Sequence, residues 1–200
     1  MTIGFSKACE NNKAAILSIL KSTFKPASKI LEIGSGTGQH AVYFAENMPK
    51  LTWLTSDLLI NHPSISARVN YSRLDNIKQP IILDLNEHWP TTHLDEIDGV
   101  FTANTLHIVS WPLVMRFFEQ MNTHLNPGGT LCIYGPFNYN GEYTSPSNAE
   151  FDLWLKERDI NSGIRSFEQI IALALSAGLS FDKDHAMPAN NRLLVFNKVP

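Results

Sequence analysis

The segment Leu31-Glu-Ile-Gly-Ser-Gly-Thr-Gly38 constrains the architecture of this chain more than any other. An apolar run, Lys29–Ile33, enters three glycines within five residues, Gln39–Asn47 follows with helix-spaced Val42, Phe44 and Ala45, and Thr52–Ser56 is again apolar and β-branched. Strand, glycine turn, helix and strand in that order make a βαβ unit, because parallel neighbours need a crossover connection. Glycines at the turn let backbone N–H groups approach a ligand closely at the carboxyl edge of the sheet. A turn that served chain reversal alone would not need three of them.

The alternation continues. Ser64–Asn70 reads as a short helix, Ile81–Leu83 as a third strand and Gly99–Ala103 as a fourth. Ser110 caps a helix with Pro112 in its first turn, and Val114, Phe117, Phe118, Met121 and Leu125 line one face. Asn126-Pro-Gly-Gly129 ends that helix, and Thr130–Tyr134 is the fifth strand. Beyond a polar loop, Gly135–Pro146, a capping box of Ser147 and Glu150 opens a helix through Phe151, Leu153, Trp154 and Leu155. A second capped helix runs from Ser166 to Gly178, and Ser180–His185 with Leu193–Lys198 close the chain as a hairpin turning at Met187–Asn191. The pattern predicts an α/β doubly wound sheet of seven mostly parallel strands, helices on both faces and a C-terminal β-hairpin. The 200 residues, 44% apolar, suffice for one cored domain over 1–200, with an N-terminal helix at about 10–24 and an insertion at about 135–165.

Composition narrows the partners. Sixteen Lys and Arg against nineteen Asp and Glu, with no basic block, argue against a nucleic acid or an anionic membrane surface. No apolar stretch approaches the ~20 residues of a transmembrane helix, and Met1–Glu10 lacks the apolar run of a signal peptide. Cys9 and Cys132 stand apart, and the histidines outside the sheet edge have no ligand spacing, so disulfides and metals are not expected and a reducing cytoplasm is. The oligomeric state is not specified.

Spacing decides the ligand class. A dinucleotide turn prefers G-x-G-x-x-G, whereas the third glycine here comes one residue early and Gln39 follows it, which disfavours NAD. The compressed G-x-G-x-G, with Glu32 two positions before Gly34, resembles the class I S-adenosylmethionine-dependent methyltransferases. Asp57 ends the second strand nineteen residues after Gly38, and a strand-end acid there can accept from both ribose hydroxyls. The resemblance implies a Rossmann-like methyltransferase fold binding S-adenosylmethionine and releasing S-adenosylhomocysteine. It assigns the cofactor to Glu32, Gly34, Ser35, Gly36, Gly38 and Asp57, the adenine to Asp84 and the Leu85 backbone, and the methionine moiety to the neighbourhood of Asn104. Glu32 either holds the methionine amino group or only bonds the glycine turn, and Asp57 and Asp84 have cap and turn readings of their own.

Ser6-Lys-Ala-Cys-Glu-Asn-Asn-Lys13, Gly-Ser-Gly-Thr-Gly-Gln-His40, Tyr-Gly-Pro-Phe137, Ser147-Asn-Ala-Glu-Phe-Asp152 and Met-Pro-Ala-Asn-Asn191 further resemble domain-of-unknown-function family 938, the methyltransferase-like protein 26 type. Asn12 stands where that family's pattern carries an arginine, which removes a cation from the position.

On the acceptor side, His107 follows the fourth strand and reads either as a base or positioning group or as a core histidine; Tyr134 ends the fifth strand and joins it as a catalytic candidate. Asn12, Lys13, Asn138, Tyr139, Arg165 and Asn190 are the substrate candidates, with loop, salt-bridge and hairpin-turn roles as their structural alternatives, and His40 reads as structural. Gly135-Pro-Phe137 follows strand five, so it is not the strand-four motif of nucleic-acid amine methylators. The expected activity is methyl transfer from S-adenosylmethionine to a small molecule or short peptide. The alternatives are a catalytically silent binder of the same cofactor, acting as partner or sensor, and a nicotinamide-dependent oxidoreductase.

Overall fold

Ser6 opens the first helix: its hydroxyl accepts from Cys9 N, and α1 runs Lys7–Thr23 in a computed structural model that describes residues 3–25, 27–90, 92 and 94–199. The ends of the expected 1–200 domain lie outside the described residues. The helix begins three residues before the expected 10, because its first turn is polar and carries no apolar period, leaving the serine cap as the only start signal. β1 (Lys29–Ile33), α2 (Gln39–Asn47) and β2 (Thr52–Asp57) follow, then α3 (His62–Ser72), β3 (Ile77–Ile82), β4 (Ile97–Ala103), α4 (Trp111–His124) and β5 (Leu125–Gly135). The remainder is β6 (Phe137–Asn138), α5 (Pro146–Arg158), β7 (Arg165–Ser166), α6 (Phe167–Ser176), β8 (Leu179–Met187) and β9 (Asn191–Lys198).

Seven strands pair in the order β3-β2-β1-β4-β5-β9-β8, the first five parallel, with β9 antiparallel to β5 and β8 antiparallel to β9. This is the seven-stranded, mostly parallel sheet with a C-terminal hairpin that the alternation predicts. Its order reverses between β1 and β4, which is where open α/β sheets bind ligands. One face packs Ile16, Leu20, Phe44 and Ile65 from α1, α2 and α3 around Trp53 and Phe101. The other packs Val114, Phe117, Ile170 and Ala174 from α4 and α6 around Leu31, Val100 and Leu131. Among the described residues no helix is long and apolar enough to cross a membrane.

Besides the start of α1, the fifth strand begins at Leu125 rather than Thr130, which takes Leu125 off the helix, and three further details differ from the sequence reading. The third strand starts at Ile77, not Ile81, and contains Pro80; it is the sheet's edge strand, where a missing N–H is tolerated, and the register shifts across this stretch. Ser145, not Ser147, caps α5: its hydroxyl accepts from Asn148 N, and Pro146 takes the first helical position, where a missing N–H costs nothing. A two-stranded parallel ribbon, β6 with β7, joins the two ends of the insertion through strands too short to leave a period in the sequence.

Candidate cofactor and acceptor site

All three turn glycines lie in the left-handed region, Gly34 at φ 75°, Gly36 at 57° and Gly38 at 73°. A side chain on Gly34 would meet Thr105 Oγ1 at 2.9 Å and one on Gly38 would make ordinary contact with α3 at 3.5 Å, whereas nothing lies within 4 Å of the Cβ position at Gly36. Gly34 permits a close approach, Gly38 is set by its left-handed φ, and the middle glycine leaves an open cradle. The turn is held from below: Gly34 N and Ser35 N both donate to Ser56 O, at 3.0 and 2.9 Å, and Gly38 N donates to Ser35 O at 2.8 Å. Thr102 Oγ1 donates to Ile33 O at 2.9 Å and shares a second hydrogen bond with Thr105 Oγ1 at 2.8 Å, which binds the loop after β4 to the end of β1.

Glu32 lies under this turn, 2% exposed. Its Oε2 accepts from Ser35 Oγ at 2.9 Å and from Trp53 Nε1 at 3.2 Å. Burial raises its pKa to about 7 against those two hydrogen bonds, and the Asp57 charge adds to the rise. In this geometry Glu32 bonds the glycine turn. Asp57, also buried, accepts from Gly36 N through Oδ2 at 2.7 Å and from Leu58 N and Asn61 Nδ2 through Oδ1, both at 2.7 Å. With roughly four lone-pair sites on a carboxylate, one on Oδ2 stays open and a second opens if Asn61 swings away. Leu83 N donates to Asp57 O at 3.1 Å, which seats the end of β3 beside it. Asp84 Oδ1 accepts from Asn86 N at 2.8 Å, an Asx turn, and Leu85 is buried in the core. Asn104 takes φ 56° and donates its N–H to Tyr134 O at 2.9 Å.

On the acceptor side, His107 is 5% exposed, lies edge-on to Phe151 at 5.5 Å, and faces Gly135, where a Cβ would come within 3.3 Å of Nδ1. Burial, with the Arg165 charge adding to it, lowers its pKa to about 4, so the ring is neutral at pH 7. Tyr134 is buried, which raises its pKa against hydrogen bonding from Asn12 and Asn191. Asn12 Oδ1 lies 2.7 Å from His40 Nε2, and the His40 ring stacks on Phe44 at 5.2 Å.

Most substrate candidates have partners of their own. Lys13 pairs with Glu10 and sits 4.8 Å over the Tyr43 ring. The Tyr139 hydroxyl donates to Asp184 at 2.7 Å, and its ring stacks on Phe167. Arg165 donates to Leu106 O at 2.8 Å, to Asn161 O at 3.0 Å and to Val109 O, fixing the loop that carries His107. Asn190 O accepts from Asn148 Nδ2 at 3.2 Å in a left-handed turn. Asn138 Oδ1 is a buried oxygen with no partner among the described residues. The structure therefore gathers Glu32, Gly34, Ser35, Gly36, Gly38, Asp57 and Asn104 at one sheet edge, with His107 on the loop after β4 and Tyr134 on β5. Sequence reasoning overlooked Ser56, Thr102 and Thr105, which brace the turn, and Asp152, which organises the insertion. Their roles depend on partners distant in sequence, and no local motif marks them.

A sequence profile of the family described as a protein of unknown function, DUF938, matches residues 4–198. The chain belongs to this family. Solved structures give the fold of this DUF938 chain a second footing. An O-methyltransferase family protein from Burkholderia thailandensis superposes with a TM-score of 0.80 at 16% identity, over 94% of this chain and 56% of its own. An O-methyltransferase family 2 protein from Planctomyces limnophilus, in complex with apigenin, gives 0.78 at 18% identity over 96% and 58%. The O-methyltransferase NcsB1 of neocarzinostatin biosynthesis, with S-adenosylmethionine and 2-hydroxy-5-methyl naphthoic acid, gives 0.79 at 14% identity over 96% and 55%. The DUF938 chain thus has the class I methyltransferase fold and spans between 55% and 58% of these neighbours' length.

The residues at the sheet edge fit the cofactor of that fold. The Gly36 cradle is open, and a carboxylate with one free lone pair stands beside it.

Proposed function

We propose that this chain transfers a methyl group from S-adenosylmethionine to a small-molecule or short-peptide acceptor in the cytoplasm. The observation that carries the reading is the open Gly36 cradle with Asp57 bonded to its N–H, at the point where the strand order reverses. When bound, S-adenosylmethionine supplies a methyl group on a sulfonium sulfur, a good leaving group that needs little further activation.

The chain's own residues then bind, orient and exclude water. Asp57 takes one ribose hydroxyl on its free Oδ2 lone pair and a second when Asn61 moves; Asp84 and the Leu85 backbone receive the adenine. Asn104, held left-handed against β5, borders the methionine end. His107, neutral at pH 7, accepts the proton of an oxygen or nitrogen nucleophile, while Phe151 and Gly135 fix its ring. Holding nucleophile and methyl in line can supply ~7–11 kcal/mol of the barrier, so a strong base is not required. Asn12, Lys13, Asn138, Tyr139, Arg165 and Asn190 are assigned to the acceptor side, Arg165 through the His107 loop it clamps.

Isothermal calorimetry with S-adenosylhomocysteine tests the cofactor assignment. The unaltered chain binds, and Asp57→Ala weakens binding more than about tenfold, about 1.4 kcal/mol. Unchanged affinity would remove Asp57 from the ribose, and tight NAD binding without S-adenosylhomocysteine binding would make the chain an oxidoreductase. Incubation with methyl-labelled S-adenosylmethionine and fractionated small-molecule extract tests transfer; binding with no label transferred at any pH identifies a silent binder.

A further inference from the structure

Residues 3–6 cross the outside of the glycine turn before α1 begins. Gly4 N donates to Ser64 Oγ at 3.1 Å, and Gly4 O accepts from the Arg68 guanidinium. The same guanidinium donates through Nε to Thr37 O of the turn at 2.8 Å. One side chain on α3 therefore fastens the N-terminal segment and the glycine turn together. A second fastener comes from α2: Gln39 Oε1 accepts from Ser6 N and from Thr37 Oγ1 at 3.0 Å, while its Nε2 donates to Ser6 O at 3.2 Å. The approach is close enough that a Cβ on Gly4 would stand 2.7 Å from Ser64 Oγ and 3.3 Å from Thr37 Cγ2. Yet the two large apolar side chains of the segment are exposed, Phe5 by 70% and Ile3 by 39%. Polar bonds hold the segment and little apolar burial does, which is the composition of an element that opens locally at low cost.

We infer that residues 3–6 form a clasp on the cofactor turn, and that Arg68 is the positioning residue that couples clasp to turn. Seated, the clasp keeps Thr37 and hence Gly36 in the geometry that holds the donor; lifted, it frees the turn for exchange of donor and product. The inference rests on the cofactor reading above, and the substrate class it concerns is the adenosyl donor itself.

The test is the release rate of S-adenosylhomocysteine from the full-length chain, followed by stopped flow. Arg68→Gln, which loses both carbonyl bonds, should release it at least about tenfold faster, and Arg68→Lys, which keeps one, should fall between. The paired variant Gly4→Cys with Ser64→Cys separates gating from mere support of the fold. The two Cβ positions are 3.8 Å apart, the spacing a disulfide needs. Loaded with S-adenosylhomocysteine and then oxidised, it should release the ligand at least about tenfold more slowly than when reduced. Equal release from the oxidised and reduced forms, or wild-type release from Arg68→Gln, overturns the clasp while leaving the cofactor reading in place. No binding by the unaltered chain overturns both.

Discussion

Glu32 is buried and accepts two hydrogen bonds on one oxygen, and burial lifts its pKa from 4.5 to about 7. An acid raised in the folded state stabilises the fold fully below its unfolded pKa, and that contribution is lost as pH rises through the folded value. Between about pH 4.5 and pH 7 the Glu32 contribution should therefore decline by roughly 3 kcal/mol. Glu32→Gln removes that slope, so urea unfolding of the two proteins should converge near pH 4 and separate by pH 7 and above, the variant being the more stable. Parallel curves would show that Glu32 does not titrate in this range. His40 and His107 act in nearly the same pH range with the opposite sign. Burial lowers both from 6.5 to about 4, so their contribution is present above 6.5 and lost as pH falls through about 4. His40→Gln should flatten the acid arm by up to roughly 3 kcal/mol in the same titration, and an unchanged arm would exclude a buried neutral His40. The glycines, Glu32 and Asp57 were legible in the sequence because backbone geometry fixes their spacing within one βαβ unit. The partners of Arg165 and Tyr139 were not, because the carbonyls around Arg165 and the Asp184 carboxylate come together only in the fold.

At the scale of elements, strands with apolar runs were legible to within a few residues, and so was α2. The starts of β3 and α5 were not. Ile77-Lys-Gln-Pro80 is polar enough to read as a turn, and only its place at the sheet edge permits the proline. Ser145 and Ser147 flank Pro146, and the choice of cap follows from proline's fit at the first helical position. The insertion is organised by buried Asp152, whose carboxylate accepts from Ile164 N at 2.6 Å, Tyr143 Oη at 2.7 Å and Lys156 Nζ at 2.6 Å. These bonds place the loop whose Gly163 N donates to His107 O at 2.9 Å, next to the helix that sets Phe151 on the His107 ring. Asp152→Ala leaves a buried N–H and a hydroxyl unpaired, at a cost of about 2–4 kcal/mol. Hydrogen exchange should speed up at Gly163 and Ile164 while β1, β4 and β5 keep their protection. Uniform acceleration across the sheet would show that the insertion does not open separately.

On the scale of the whole molecule, the reversal of strand order between β1 and β4 brings the glycine turn, Asp57 and the β4 loop to one edge. That much follows from the alternation of strands and helices. What the sequence did not disclose is how α1, the insertion and the β8–β9 turn meet there, since Asn12, Asn148 and Asn191 find partners only through packing. A ligand held at this edge touches elements from both halves of the chain, so its binding free energy should appear as stability of the whole fold. At a free concentration about 100 times its dissociation constant, S-adenosylhomocysteine adds ~2.7 kcal/mol. For a chain of this size that raises the thermal midpoint by about 5–10 °C. Asp57→Ala, if about tenfold weaker, retains only ~1.4 kcal/mol at the same concentration, so its midpoint should rise about half as far from its own baseline. NAD at equal concentration should leave both midpoints where they are. Scanning calorimetry with and without each ligand reads all of these shifts. Equal shifts in the two proteins would place the ligand away from Asp57, and a shift with NAD alone would return the site to the dinucleotide class that the compressed glycine spacing argues against.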